Sequence, residues 1–207
     1  GNLIINSPQN IAALDYFVDL IPFCPPGVSN NTWDELTTQM QQGIVAMQVQ
    51  WNDCAPSVED PDSSRVAGKI GYKTIPFDVN PVAHYGAWTY FIPKDAPNPE
   101  AAWIFLQWVN TSAVQKEISL EGGFPTLSSV FNDPDLVEQL PYWQASLDAY
   151  EISTRRPRIP QWNEMNNTMM LELSNVIAGR KSSAAALRDL DSAYQRLLAG
   201  SLPVDYQ

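Results

Sequence analysis

The sequence predicts a helix-rich α/β fold. Three observations point there. Apolar residues recur at helical spacing from Ile11 to Ile21 and from Leu187 to Leu197, short β-branched or alternating runs lie between helices, and His84 to Trp108 reads as a strand-turn-helix unit. In that unit the aromatic run from His84 to Phe91 suits a strand. Asn98 is placed to cap the following helix by accepting a backbone N–H left unpaired in its first turn, and Pro99 suits the first helical position, where no N–H is needed.

The other elements follow in order. Ser7-Pro8 opens a helix by the same logic, and Ile11, Leu14, Val18 and Ile21 form one apolar stripe before Pro22, Pro25, Pro26 and Gly27 end it. Thr32 with Glu35 three residues on predicts a capping box, and Gly43 is placed to terminate that helix. Residues 44–50 alternate as a strand ending at Trp51, 52–69 turn polar and acidic as a surface loop, and 69–77 form a second short strand. Residues 112–120 predict a helix, Gly122-Gly123-Phe124-Pro125 a tight exposed turn, and Asp133-Pro134 another helix start. The basic, proline-broken stretch 150–162 leads to a helix over 163–179 ended by Gly179. Ser182 or Ser183 caps the last helix, whose Leu187, Leu190, Tyr194 and Leu197 share a face and which Gly200 closes.

Composition narrows the function. A chain of 207 residues with 44% hydrophobic and 17% charged residues is long enough for one large core or two modest ones, and is globular in character. Its net charge of −11 would be repelled by a phosphate backbone or an anionic membrane surface, which argues against a nucleic-acid partner. No run approaches the roughly 20 apolar residues of a membrane span, and the opening GNLIINSPQN lacks the basic start and apolar core of an export signal. Cys24 and Cys54, with a lone histidine, do not make a zinc site, so no metal or cofactor is expected. The two thiols are either bridged or free and buried.

Catalysis finds little footing. A Ser-His-Asp or Cys-His arrangement would have to use His84, and no serine sits in a G-x-S-x-G elbow; a structural role for His84 is the expectation. No glycine loop for phosphate appears, and no motif selects a glycosidase carboxylate pair from the 23 acidic residues.

The Tyr85-Gly86-Ala87-Trp88 strand, the Ile92-Pro93-Lys94-Asp95 turn and the Asn98-Pro99-Glu100-Ala101-Ala102-Trp103 helix resemble the extracellular solute-binding proteins of bacterial ABC importers, in the sugar and maltodextrin branch. Gly43-Ile44-Val45-Ala46-Met47 and Gly122-Gly123-Phe124-Pro125-Thr126 continue the resemblance over most of the chain. It implies a type II periplasmic-binding-protein-like fold and, because family members are much longer, a chain that corresponds to the C-terminal half. It also implies that residues 1–77 and 131–207 belong to the C-terminal lobe while 78–130 cross to the N-terminal lobe, with hinges near 75–81 and 127–134. Location would then be periplasmic or extracellular, with a lipid anchor in a Gram-positive host, and the partner a membrane permease.

A sugar site needs flat aromatics for the C–H face of the ring and short polar groups that replace water at the hydroxyls. With 11% aromatic residues and seven tryptophans, the chain offers that mixture in Trp51-Asn52-Asp53, in Tyr85-Gly86-Ala87-Trp88, and in the stretch from Arg158 to Trp162 and Asn163, and the resemblance implies that Trp162 and Asn166 meet ligand. Trp51 is the leading stacking platform, since the resemblance places its loop at the inter-lobe cleft. Gly86 either lets a ligand approach the backbone or marks a bulge. Gly122, Gly123 and Phe124 resemble a family loop that borders the ligand, although Thr126-Leu127 stand where many relatives carry an arginine. Arg156 and Arg158 either bind hydroxyls or face solvent, and Trp103, Phe105, Leu106 and Trp108 are expected to be buried. The function implied is a non-enzymatic substrate-binding component for a sugar or polyol. A carbohydrate-active hydrolase and a non-transport interaction domain are the alternatives.

Overall fold

The computed structural model describes residues 3–199. In chain order the helices are α1 (Pro8–Asp19), α2 (Trp33–Gln41), α3 (Ala55–Glu59), α4 (Pro99–Val109), α5 (Ser112–Leu120), α6 (Ser128–Phe131), α7 (Pro134–Gln139), α8 (Trp143–Glu151), α9 (Trp162–Ile177) and α10 (Ser183–Leu198). Two short strands, β1 (Ala83–Tyr85) and β2 (Ser153–Arg155), pair in parallel, and the connection between them carries α4 to α8. The chain divides into two compact units, one made of residues before 33 with those after 156, the other of residues 33–156.

The first unit is a helical cluster. Ser7 caps α1 by accepting from the Asn10 N–H at 3.2 Å, and Ser182 caps α10 by accepting from Ala185 at 3.3 Å. Leu14 from α1, Met165 and Val176 from α9, and Ala186, Leu187, Leu190 and Tyr194 from α10 form its core, with Ile11, Val18 and Leu197 packed against them. The buried Tyr194 hydroxyl donates to the Met165 carbonyl at 2.9 Å, so the ring is buried without stranding its polar tip. Gly179 ends α9 at φ 67°, its N–H donating to Val176 and that of Arg180 to Asn175, a Schellman cap. Gly200, assigned from sequence to close α10, lies outside the described residues.

The second unit is built on Trp143, which is 0% exposed and donates its indole N–H to the Phe131 carbonyl at 3.0 Å. Phe124 stacks on it with centroids 5.1 Å apart, and Ala55, Val130, Leu136 and Tyr142 complete the core. Gly43 ends α2 by the predicted cap, at φ 69°, with its N–H donating to Met40 and that of Ile44 to Gln39.

Several expectations are corrected here. The acidic stretch 52–69 is not simply a surface loop: it contains a 3-10 turn (Asn52–Cys54) and α3, and it buries Cys54, Ala55, Val58 and Ser64. Residues 44–50 and 69–77 join no sheet, because a strand needs a neighbour for its N–H and C=O groups and the described residues pair only β1 with β2. Met47 and Val49 are exposed. The strand expected from His84 onward stops at Tyr85. Asn98 sits at the α4 N-cap position but makes no side-chain cap bond. Helix α4 buries none of its residues, so Trp103, Phe105 and Trp108 are exposed and Leu106 is half-buried. Both cysteines are free, Cys24 exposed and Cys54 buried; burial, then the nearby Asp53 charge, pushes the Cys54 thiol up to about 11.

Candidate functional site

In the second unit the parallel pairing of β1 with β2 sets His84 opposite Thr154 and Tyr85 opposite Arg155, so Arg156 falls beside His84 although the two are 72 positions apart. Its Nε–H donates to His84 Nε2 at 3.1 Å. The same imidazole meets Trp51, ring centroids 5.0 Å apart at 63°. Trp51 also lies across Gly86: a Cβ there would stand 2.8 Å from its Cη2 and 3.2 Å from its Cζ3. Gly86 is therefore a place of close approach, and what approaches is the indole.

The turn that carries Trp51 is tied to α2. Asp53 accepts from the Trp33 indole N–H at 3.1 Å, and Gln50 donates to the Trp33 carbonyl at 3.3 Å while accepting from the Trp51 N–H at 3.0 Å. The indole remains 41% exposed. On the neighbouring residue, Arg155 lies over the Tyr85 ring at 5.0 Å, and Tyr150 of α8 tilts against the same ring with centroids 5.9 Å apart. Partial burial, then the charge of Arg156, holds His84 below the usual imidazole range. Neither Arg155 nor Arg156 makes an ion pair among the described residues, a local excess of positive charge in a chain of net charge −11.

The arrangement offers one partly exposed indole with Arg156 near it through His84 and with Asn52 and Asp53 exposed on its turn. It offers no acid-base pair: His84 is an acceptor for a guanidinium and touches no nucleophile. Among the described residues no group of three or more His, Cys, Asp or Glu is gathered to hold a metal ion.

Of the residues singled out from sequence, Trp51 and Gly86 come together, with Asn52 and Asp53 exposed on the same turn, while the Tyr85 ring is engaged by Arg155 and Tyr150. Trp88 is fully exposed, at 101%. Gly122 and Gly123 are not an exposed turn. They are half-buried and form the Schellman cap of α5, Gly122 at φ 95° with its N–H donating to Ser119 and that of Gly123 to Ile118. Phe124 is engaged with Trp143 in the core. Arg158, Trp162 and Asn166 lie in the first unit, where Trp162 opens α9 and packs on the core, Asn166 donates to the Met170 sulfur at 3.5 Å, and Arg158 is exposed. Sequence reasoning missed His84 and Arg155 as site residues, and gave Arg156 either to ligand hydroxyls or to solvent without its contact to His84. Nothing local marks a three-residue parallel pairing across such a separation.

Elsewhere in the second unit an open depression of about 460 Å³ is lined by Asn132, Val137, Glu138, Leu147, Asp148 and Glu151 among others. Its carboxylates stand beside aliphatic side chains and no aromatic face, so it lacks a platform for a sugar ring.

Residues 1–116, more than half the chain, match the bacterial extracellular solute-binding protein family. The chain belongs to that family. Its fold is that of the type II periplasmic binding proteins. The maltose-bound MalE3 of T. maritima superposes with a TM-score of 0.89 at 25% identity, covering 96% of this chain and 52% of that one. An ABC transporter solute-binding protein from Agrobacterium radiobacter K84, in complex with ribitol, gives 0.80 at 31% identity over 93% of this chain and 50% of that one. In sequence, the probable amino-acid ABC transporter periplasmic-binding protein y4oP of Sinorhizobium fredii is 22% identical over 93% of this chain and 44% of its own length. The mannitol-binding protein of Pseudomonas aeruginosa is 27% identical over 52% of this chain and 25% of its own. The family member described here thus spans about half the length of the relatives it matches most fully.

Proposed function

We propose that this chain is the C-terminal half of a substrate-binding component of an ABC importer, one that takes a sugar or sugar-like polyol into a cleft between two lobes and delivers it to a membrane permease. The observation that carries the reading is the exposed Trp51, set against Gly86 and His84, with the Arg156 guanidinium hydrogen-bonded to the same His84. An indole face packs on the C–H groups of a polyol or pyranose, and the surrounding donors replace water at its hydroxyls. The ligands named for two relatives, ribitol and mannitol, are of this chemical class.

In this reading Trp51, Asn52, Asp53, Tyr85, Gly86 and Trp88 are ligand contacts, and Arg158, Trp162 and Asn166 form a second group. Residues 78–130 cross to the N-terminal lobe, with hinges near 75–81 and 127–134. Support for the crossing is that α4 buries none of its residues and that Trp88, Tyr90 and Phe91 are exposed beside it in sequence, an apolar surface that seeks a covering layer. The location is periplasmic or extracellular, and the mechanism is closure: ligand shifts the open–closed equilibrium by contacting the closed form better.

The test is a thermal-shift screen of the protein at its full natural length against ribitol, D-mannitol, maltose, amino acids and polyamines. A polyol or sugar at about 100 times its Kd stabilises the folded state by about 2.7 kcal/mol, and Trp51→Ala removes the shift. Stabilisation by an amino acid and by no polyol or sugar overturns the ligand class. Release of product from oligosaccharides overturns the binding-only reading in favour of a hydrolase.

A further inference from the structure

The sole histidine of the chain touches two groups, the Arg156 guanidinium and the Trp51 indole. Since Arg156 Nε–H donates to Nε2, that nitrogen must present its lone pair, which assigns the ring proton to Nδ1. A protonated imidazole has no lone pair to offer. It would leave the guanidinium without its acceptor and set two cations face to face at hydrogen-bond distance. The six-membered edge of the indole also lies against Gly86, where an added Cβ would stand 2.8 Å from Cη2. The position of Trp51 thus depends on one titratable ring and on the lack of a side chain at Gly86.

We infer that His84 is a positioning residue for Trp51, acting through its neutral form: it bridges Arg156 to the indole and keeps the indole against Gly86, so that ligand binding at the Trp51 face weakens on acidification. The binding clause rests on the function proposed above; the positioning clause does not. The charged and titratable neighbours leave Arg156 as the dominant partner. On the adjoining strand Arg155 lies over Tyr85, α8 sends Tyr150 to Tyr85, and on the 51–54 turn Asp53 is engaged by the Trp33 indole N–H. The sign follows from the direction of the shift. Partial burial and the Arg156 charge lower the imidazole below its ordinary value, so the arrangement is intact above that value and is lost as pH falls through the lowered one.

The experiment is a proton-detected NMR titration of the protein at its full natural length. The Trp51 indole N–H signal is assigned by its loss in Trp51→Phe, and the His84 imidazole signal by its loss in His84→Gln. The expected result is that the Trp51 signal moves with the His84 midpoint, that this midpoint lies below the ordinary imidazole value, and that His84→Gln, whose amide oxygen still accepts from Arg156 but does not titrate, abolishes the pH dependence. Gly86→Ala displaces the Trp51 signal at every pH. A Trp51 signal that stays fixed while His84 titrates overturns the inference, and the wild-type titration alone decides this if a variant fails to fold. With ribitol and D-mannitol as binding probes, Kd rises by about tenfold or more from about pH 8 to about pH 5, and His84→Gln flattens the profile. Equal Kd at both pH values overturns the binding clause. If neither polyol binds at any pH while Trp51 follows His84, the positioning stands and the polyol reading falls.

Discussion

Phe124 lies flat on Trp143, their planes 6° from parallel and their centroids 5.1 Å apart. The stack ties the segment after α5 to α8 and closes the core of the second unit. Trp143→Ala opens a cavity where no solvent reaches, and is expected to destabilise by about 3–5 kcal/mol. Phe124→Ala costs less, because its ring is half-buried. Urea unfolding of the two variants measures both; a loss for Trp143→Ala within about 1 kcal/mol would remove Trp143 from the centre of the core.

Two glycines that end helices should respond differently to a methyl group. Gly122 has φ 95° and a Cβ there would meet the Pro56 Cβ at 2.8 Å, whereas Gly179 has φ 67° and open space around it. Gly179→Ala therefore carries only the left-handed backbone cost of about 1–2 kcal/mol, and Gly122→Ala carries that cost plus the collision. Thermal melting of the pair gives the order directly; equal losses contradict it.

The cysteines make a cheap probe of the first and second units separately. Cys24 is exposed and Cys54 buried, with its thiol pushed up to about 11 by burial and then by Asp53. A thiol reagent in mildly alkaline buffer is expected to modify one equivalent at once and the second only in denaturant, since the reactive species is the thiolate. Two equivalents at once would show that Cys54 is reached without unfolding.

The apolar side of α4 gives the fourth prediction. Trp103, Ile104, Phe105 and Trp108 are all exposed. The 207-residue chain on its own should bind a hydrophobic dye, and Trp103→Glu combined with Trp108→Lys should reduce that binding while changing stability by no more than about 0.5 kcal/mol per site. A loss of several kcal/mol would mean that these rings are packed.

Local chemistry made much of the helical part legible. Ser7 and Ser182 make their caps through side-chain oxygens, Gly43 and Gly179 adopt the left-handed backbone that ends a helix, and the stripe Leu187, Leu190, Tyr194 is buried as its period demands. These features depend on residues within one turn of each other. The strands were not legible in the same way. Residues 44–50 have a strand's pattern, yet only pairing makes a strand, and the pairing that does form, β1 with β2, joins segments whose own patterns are weak.

The candidate site shows the same division. Trp51 and Gly86 stand out in the sequence as an aromatic at a strand end and a glycine beside aromatics, and the structure lays one on the other. His84 read as structural, and Arg156 as either a hydroxyl contact or a solvent-facing charge. Gly122, Gly123 and Phe124 carried a ligand-loop pattern, but their backbone and ring are taken up by the α5 cap and the Trp143 stack.

By itself the sequence determined the family and many of the helix ends, because each is written in neighbouring residues whose sterics and hydrogen bonds act locally. Only the tertiary structure decided what surrounds Trp51. The register of a three-residue parallel pair places Arg156 against His84 and His84 against Trp51, and a contact between residues so far apart in the chain is set by packing, which no local pattern records.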